Sequence, residues 1–410
     1  MIKIRINKTP KEWAALFVFY LLLLQNPLSK EVPFFTYVDE AISLVGPILI
    51  LYYALRRQRI RIKHIDSNII LLMILFITIG LIGNIRYHYQ PIEAVLTDLI
   101  ANTKYFLAIL SGYAMFSVLN TRKVNDALEK HIRLASALLF VLFCVDVVFH
   151  VFYSAERRYG MRTIQLFYSH ATFLAGIEVF LLSFLMVFYK RKNIPYMIMS
   201  LIVLVSTLRG KAFAGAVTYV ALFYFLIYTN KKINIFHIAV IAAIAITIAW
   251  EQIDLYFIRL SGESARSVLT TTSIDIMRDH FPIGTGFGTY ASAAAVEYYS
   301  PVYYLYGLHT TWGLSEEFSS FGSDTFWPII IGQTGFLGTV CFVGVLTLLF
   351  FRIKQLKQIN SHFYAAALFS VAYLMISSMG ESSFHNPVAV PLAVVLGYVF
   401  ALQQSEPVKK

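Results

Sequence analysis

The chain has 410 residues, of which 58% are hydrophobic and only 14% charged, with a formal net charge of +11 and a mean hydropathy of +0.66. Soluble domains carry about a quarter charged residues, so this composition excludes an ordinary soluble protein. The two cysteines, Cys144 and Cys341, lie inside apolar runs without ligand-like neighbours, which excludes a disulfide framework or a cysteine-based zinc site.

Apolar runs long enough to cross roughly 30 Å of hydrocarbon recur along the whole chain. Such runs must satisfy their backbone groups internally, and they lack the alternation of barrel strands. The expectation is an all-α polytopic membrane protein, residues 1–410 forming one integral membrane domain. The first run follows Lys3, Arg5, Lys8 and Lys11 like a signal peptide, but no small-residue cleavage site follows, so it is taken as the first span. Twelve spans are expected, at 12–28, 37–55, 67–84, 93–119, 134–154, 166–189, 194–208, 212–229, 233–250, 324–351, 362–379 and 385–403. Residues 251–323 form an extracytoplasmic loop between spans nine and ten, too aromatic for a solvated tail and expected to fold as a cap.

Orientation follows from the basic residues. Of 34 Lys and Arg, 23 fall in alternate short segments: before Trp13, at Arg56–Lys63, Arg122–Arg133, Lys190–Lys192, Lys231–Lys232 and Arg352–Lys357, and at Lys409 and Lys410. The positive-inside tendency then puts both termini in the cytoplasm. Anchoring of this kind accounts for most of the positive charge and leaves no case for nucleic acid.

The remaining basic residues point to an anionic ligand on the outer side. Lys30 and Arg86 read as solvated loop charges. Lys104 lies within the fourth span, where an ionisable group is costly; it either pairs with Asp98 or serves a substrate. Arg157, Arg158 and Arg162 fill one short outer loop against the positive-inside tendency. Arg209 and Lys211 flank Gly210 at a hairpin, and Arg259, Arg266 and Arg278 lie in the long loop. The planar guanidinium suits phosphate oxyanions.

Other features are weaker. The run Gly284-Thr-Gly-Phe-Gly288 lacks the strand–turn–helix setting of a dinucleotide site and reads as a turn allowing close backbone approach. No Asp-x-Asp pair or His/Cys cluster suggests a metal, so no cofactor is expected and arginines must neutralise developing charge. His309 and His385 are lone histidines near a membrane boundary, with interfacial roles or, for His309, a place among substrate contacts. Glu316, Glu317 and Asp324 precede the tenth span and suit a helix N-terminus. Tyr298, Tyr299, Tyr303, Tyr304, Tyr306 and Trp312 form either an interfacial belt or a sugar-stacking surface.

Three segments in order resemble the O-antigen polymerase and O-antigen ligase superfamily of bacterial membrane glycosyltransferases. Ser206-Thr-Leu-Arg-Gly-Lys-Ala212 looks like its Ser-Arg hairpin. Residues from Ala265-Arg266 to Asp279-His-Phe-Pro-Ile-Gly-Thr-Gly-Phe-Gly288 look like its Arg-containing helix ending in Pro-x-x-Gly-x-Gly. Asp324-Thr-Phe-Trp with Gly335-Phe-Leu-Gly338 looks like the segment after its long outer loop. The resemblance covers residues 194–350 and implies a GT-C-like architecture in the bacterial inner membrane. Where ligases resembling this family carry His, this chain has Asp324, which tilts the expectation to a polymerase of lipopolysaccharide, capsule or exopolysaccharide.

The resemblance implies that undecaprenyl-pyrophosphate-linked glycan is both donor and acceptor, with membrane lipids and a chain-length regulator protein as further candidate partners. Arg209, Arg266 and Asp324 are the expected catalytic residues: the arginines bind pyrophosphate and Asp324 orients or deprotonates the acceptor hydroxyl. Lys211, Arg278, Arg157, Arg158, Arg162 and His309 are expected to bind substrate. The rival readings are a ligase that transfers the glycan to lipid A core, and a lipid-linked oligosaccharide flippase with ionisable groups near the bilayer midplane.

Overall fold

A computed structural model of the chain describes residues 9–55, 64–229 and 264–405. The expected span 233–250, Arg259, and the basic clusters at 56–63, 231–232 and 409–410 lie outside the described residues. The described residues are mostly helical. The helices used below are α1 (Pro10–Glu31), α2 (Val38–Leu55), α3 (His64–Tyr87), α4 (Ile92–Leu119), α5 (Arg122–Phe149), α6 (Ala171–Val187), α7 (Ile194–Ser206) and α8 (Gly210–Leu222). They continue with α9 (Ala265–Asp279), α10 (Ala293–Glu297), α11 (Pro301–Leu305), α12 (Trp327–Leu356), α13 (Ser361–Ser377) and α14 (Ala389–Ser405). The only strands among the described residues are β1 (Arg157–Arg158) and β2 (Met161–Arg162), a small antiparallel hairpin.

Six helical segments among the described residues are long and apolar enough to cross a membrane: Pro33–Tyr52, Ser67–Tyr87, Ile92–Leu119, Arg122–Phe149, Gly210–Tyr228 and Trp327–Leu356. Ala171–Val187, Ser361–Ser377 and Ala389–Gln403 are apolar but shorter. Helix ends are set by local chemistry. Thr9 and Glu12 form a reciprocal capping box at the start of α1, and Thr121 caps α5 by accepting from Val124 N–H. That cap starts α5 at Arg122, twelve residues before the apolar stretch expected at 134–154.

The core centres on α6 and α14, whose side chains are buried on nearly every face. Helix α4 packs on α14 and α2, α12 packs on α3, and α13 lies against α6 and α8. A helix apolar all round belongs inside a bundle, which fits α6 and α14 here.

Between α2 and α4 sits a buried ionic set. Lys104 Nζ lies 2.7 Å from Asp39 Oδ2 and 3.5 Å from Glu40 Oε1, and Gln25 Nε2 donates to Asp39 Oδ1 at 2.8 Å. The partner of Lys104 is therefore Asp39 on α2, not Asp98. A helical separation of six residues points Asp98 and Lys104 to different faces. Asp98 instead accepts from Asn102 Nδ2 at 3.0 Å and from Gly288 N–H at 2.9 Å.

That last bond belongs to the segment after α9, which enters the bundle. Gly286 N–H donates to Gln333 O at 2.8 Å, and Leu337 N–H to Pro282 O at 3.0 Å. Asn84 grips Phe287 twice, accepting from its N–H at 2.8 Å and donating to its carbonyl at 2.9 Å. Gly284 and Gly335, both with positive φ, approach backbone to backbone; a Cβ on Gly335 would stand 2.4 Å from Gly284 N. The glycine run is thus a backbone-packing device, with the N–H groups of Gly286, Phe287 and Gly288 committed to protein acceptors. Residues 264–326 have a small core of their own, in which Leu269, Ile276, Tyr290, Tyr303 and Leu314 are fully buried.

Candidate functional site

Charged residues from five separate segments converge at one end of the bundle. Arg209 is the N-cap residue of α8, held at the sharp turn from α7 where Leu208 takes a positive φ. Its Nη2 pairs with Glu156 Oε2 and lies 2.5 Å from His170 Nε2. His170 is itself the N-cap residue of α6. Glu156 also receives Arg158 Nε at 2.8 Å, so the segment leading into β1 supplies a carboxylate shared by two arginines. In the first turn of α8, Lys211 pairs with Glu381 in the segment between α13 and α14.

Arg266 and Asp324 complete the group. Arg266 occupies the first turn of α9, which Ser264 caps by accepting from Ser267 N–H at 3.2 Å. Its Nη2 lies 3.1 Å from Asp324 Oδ2, just before α12. Trp327 Nε1, at the start of α12, donates to Ser378 Oγ at 3.2 Å, three residues before Glu381, which ties the two ion pairs to one region.

The electrostatics show the same grouping. Burial first, then the charge of Arg158, lowers the pKa of Arg209; Glu156 and Glu381 oppose this, and Arg266 adds to it. Burial also lowers the pKa of His170, followed by the charge of Arg209, so the imidazole is neutral near pH 7. For Glu156 burial resists ionisation, but the hydrogen bond from Arg158 and the charge of Arg209 outweigh it and hold the carboxyl below the usual range. Four cations, Arg158, Arg209, Lys211 and Arg266, thus face three carboxylates, with each carboxylate engaged by at least one cation.

Arg209, Lys211, Arg266, Arg158 and Asp324 are brought together. Arg162 is held elsewhere: it pairs with the fully buried Asp146 at 2.7 Å and donates to Asp146 O and Phe152 O, clamping the C-terminal end of α5. A cation at a helix C-terminus is favourable, which gives this arginine a structural role in its loop. Arg157 is exposed on β1. Arg278 is 74% exposed beside Asp275, about 18 Å along α9 from Arg266 at ~1.5 Å per residue. His309 packs on the Tyr304 ring at 4.7 Å, away from these ion pairs. His385 Nε2 donates to Asn102 Oδ1 inside the bundle at 3.1 Å.

Glu156, His170 and Glu381 were not singled out by sequence reasoning. A signal existed for two of them, since Glu156 and Glu381 are lone carboxylates at the ends of apolar runs. His170 carried none. Among the described residues no group of three or more His, Cys, Asp or Glu side chains could hold a metal ion.

The cluster can hold an anion of two or more negative charges by exchanging internal carboxylates for ligand oxygens, because arginine forks and a lysine point to one place. Asp324, one-third exposed, and Glu381 each pair with one cation, Arg266 and Lys211, whereas Glu156 is shared. No protein-family model, curated protein or solved structure matches this chain.

Proposed function

We propose that the chain is a membrane glycosyltransferase of the O-antigen polymerase type. It transfers a glycan from undecaprenyl pyrophosphate to a sugar hydroxyl of a second lipid-linked repeat unit. The observation that carries this reading is the convergence of Arg209, Lys211 and Arg266 beside Asp324 at one end of an apolar helix bundle. Twelve spans, cytoplasmic termini and an outward-facing 251–323 segment belong to the same proposal.

In the reaction the acceptor oxygen bonds to the anomeric carbon while the bond from that carbon to the pyrophosphate oxygen breaks. The leaving pyrophosphate keeps the electron pair, and Arg209, Arg266 and Lys211 neutralise it, a role worth several kcal/mol in a water-poor site. When the donor takes Arg266, the Asp324 carboxylate is released from its ion pair to receive the acceptor proton. Holding both lipids at one end of the bundle supplies proximity.

The test is polymer formation by purified protein reconstituted with lipid-linked repeats. Arg209→Ala and Arg266→Ala should each lower it by about 10²–10³-fold while the protein stays folded; full activity in both would sink the assignment. The Lys104–Asp39–Glu40 set favours a second reading, a transporter of lipid-linked glycan. Movement of such lipids across vesicles without bond formation would establish that instead.

A further inference from the structure

Helix α6 lies at the centre of the bundle and carries one charged side chain, Glu178. That residue is fully buried, and among the described residues no protein group lies at hydrogen-bond distance from either carboxyl oxygen. The polar group that bears on it is the Ser200 hydroxyl of α7, which is engaged elsewhere, donating to Ser136 Oγ of α5 at 3.1 Å. We infer that Glu178 is a proton-binding site inside the bundle, and that release of its proton shifts α7 and the Arg209 turn at its end. The inference goes beyond the glycosyl-transfer reading and does not depend on it.

An ionised carboxylate enclosed without a cation costs several kcal/mol, far more than the neutral acid. Ionisable side chains at such depth in a membrane bundle are characteristic of proton relays. Among the described residues, the helices packed on α6 bring hydroxyls and rings rather than charge. Ser136 comes from α5, Ser200 from α7 and Ser370, which donates to Ser183 Oγ at 3.1 Å, from α13. Phe19 of α1 stacks on Phe180, and Tyr398 of α14 lies against Phe184. Tyr168, just ahead of α6, is the titratable group whose charge bears on Glu178, and its hydroxyl donates to Leu23 O at 3.0 Å.

A polar approach leads toward Glu178 from the end of α6 opposite His170. Glu129 and Ser136 share one face of α5, seven residues apart, and Asn193 and Ser200 have the same spacing at the start of α7 and within it. They meet in two rungs, Asn193 Nδ2 donating to Glu129 Oε1 at 3.3 Å and Ser200 donating to Ser136. Lys190 and Lys192, both half-exposed, pair with Glu129 and open the first rung to solvent. The second rung lies about 10 Å further in, two turns along α5.

Ionisation is a simple dissociation: the Glu178 O–H bond breaks, its electron pair stays on oxygen and the proton passes to solvent. The carboxylate must then recruit a donor, and Ser200 supplies one by turning its hydroxyl from Ser136 to Glu178. That exchanges a bond between α5 and α7 for one between α6 and α7. Helix α7 ends at Ser206, whose carbonyl accepts from Ile164 N–H at 3.2 Å, and Leu208, with positive φ, leads into Arg209. A shift of α7 therefore reaches both the Arg209 turn and the hairpin segment that supplies Glu156 and Arg158.

The test uses the full chain in phosphatidylcholine nanodiscs. Infrared spectra near neutral pH should show a protonated-carboxyl C=O band that moves in D2O and is missing from Glu178→Gln. As raised pH removes that band, inorganic pyrophosphate binding should weaken by about tenfold relative to Glu178→Gln, which has no proton to lose there. Should Glu178→Gln fail to fold, Ser200→Ala takes its place: the carboxyl remains, its band shifts, and the pH-linked loss of binding disappears. An unchanged spectrum in the variant overturns the inference, as does a band that neither exchanges in D2O nor titrates. Parallel pyrophosphate curves for wild type and variant overturn the link to Arg209. None of these readouts requires polymer, so failure of the polymerase reading leaves the proton site standing.

Discussion

Arg266 and Asp324 are separated by 58 residues and meet at 3.1 Å, each from the first turn or the approach of a different helix. Both side chains are partly exposed, so the pair itself contributes only ~0–1 kcal/mol to stability. In the proposed glycosyl transfer their value is chemical. Replacing Arg266 by Ala should lower the polymer-forming rate by about 10²–10³-fold with little change in melting temperature. The exchange Arg266→Asp with Asp324→Arg restores an ion pair but should not restore turnover. Recovery in the exchanged protein would mean that the pair serves only the fold.

Glu156 competes with any anion for Arg209 and Arg158. Glu156→Gln should therefore tighten inorganic pyrophosphate binding by roughly fivefold, equivalent to losing a competing ion pair of ~1 kcal/mol. Weaker binding in titration calorimetry would mean that Glu156 positions Arg209 and does not merely occupy it.

His170 gives a pH signature. Its folded pKa is lowered, by burial first and then by Arg209, so below about pH 6.5 the unfolded chain takes up a proton that the folded chain resists. Stability contributed by neutral His170 is complete above that value and falls as pH decreases toward the folded pKa. In His170→Gln this part of the acid sensitivity should disappear. Parallel melting-temperature curves for the two proteins between about pH 8 and pH 5 would contradict it.

Lys104 and Asp39 form the most buried ion pair among those described, with side chains 5% and 1% exposed. Lys104→Met leaves a carboxylate in the bundle without its cation and should cost ~3–5 kcal/mol. Adding Asp39→Asn should recover most of that loss, and a double-mutant cycle of unfolding in denaturing detergent measures the coupling. Additive losses would show that the two residues act independently.

At the Gly284–Gly335 contact two penalties combine. Gly335→Ala meets both positive φ and a backbone nitrogen 2.4 Å from the new Cβ, and should destabilise by ~3 kcal/mol or more. Gly307 also has positive φ but open space around it, so Gly307→Ala isolates conformational strain at ~1 kcal/mol. Comparable folded yields for the two variants would exclude the close approach as a constraint.

Much of the helical layout is written in local composition, because a run of apolar residues must form helix wherever it cannot reach water. Each expected span within the described residues overlaps a helix, though only six helical segments there are long and apolar enough to cross a membrane. The α5 boundary was missed because a cap at Thr121, not hydropathy, begins that helix. Arg209, Lys211, Arg266 and Asp324 stood out as charges in an apolar chain, and the glycine run was legible as a point of close backbone approach.

What the sequence could not supply was partnership. Whether an arginine joins the charged cluster or clamps a helix end depends on which groups it meets, as Arg158 and Arg162 demonstrate from one hairpin. Lys104 chose Asp39 over Asp98 because helix phase, not proximity in sequence, decides which side chains share a face. Glu156, His170 and Glu381 joined the site only through the packing of α6, α8 and α13. Local composition fixes where charge is tolerated; only tertiary structure decides which charges meet, since an ion pair depends on the distance between atoms that the chain brings together from far apart.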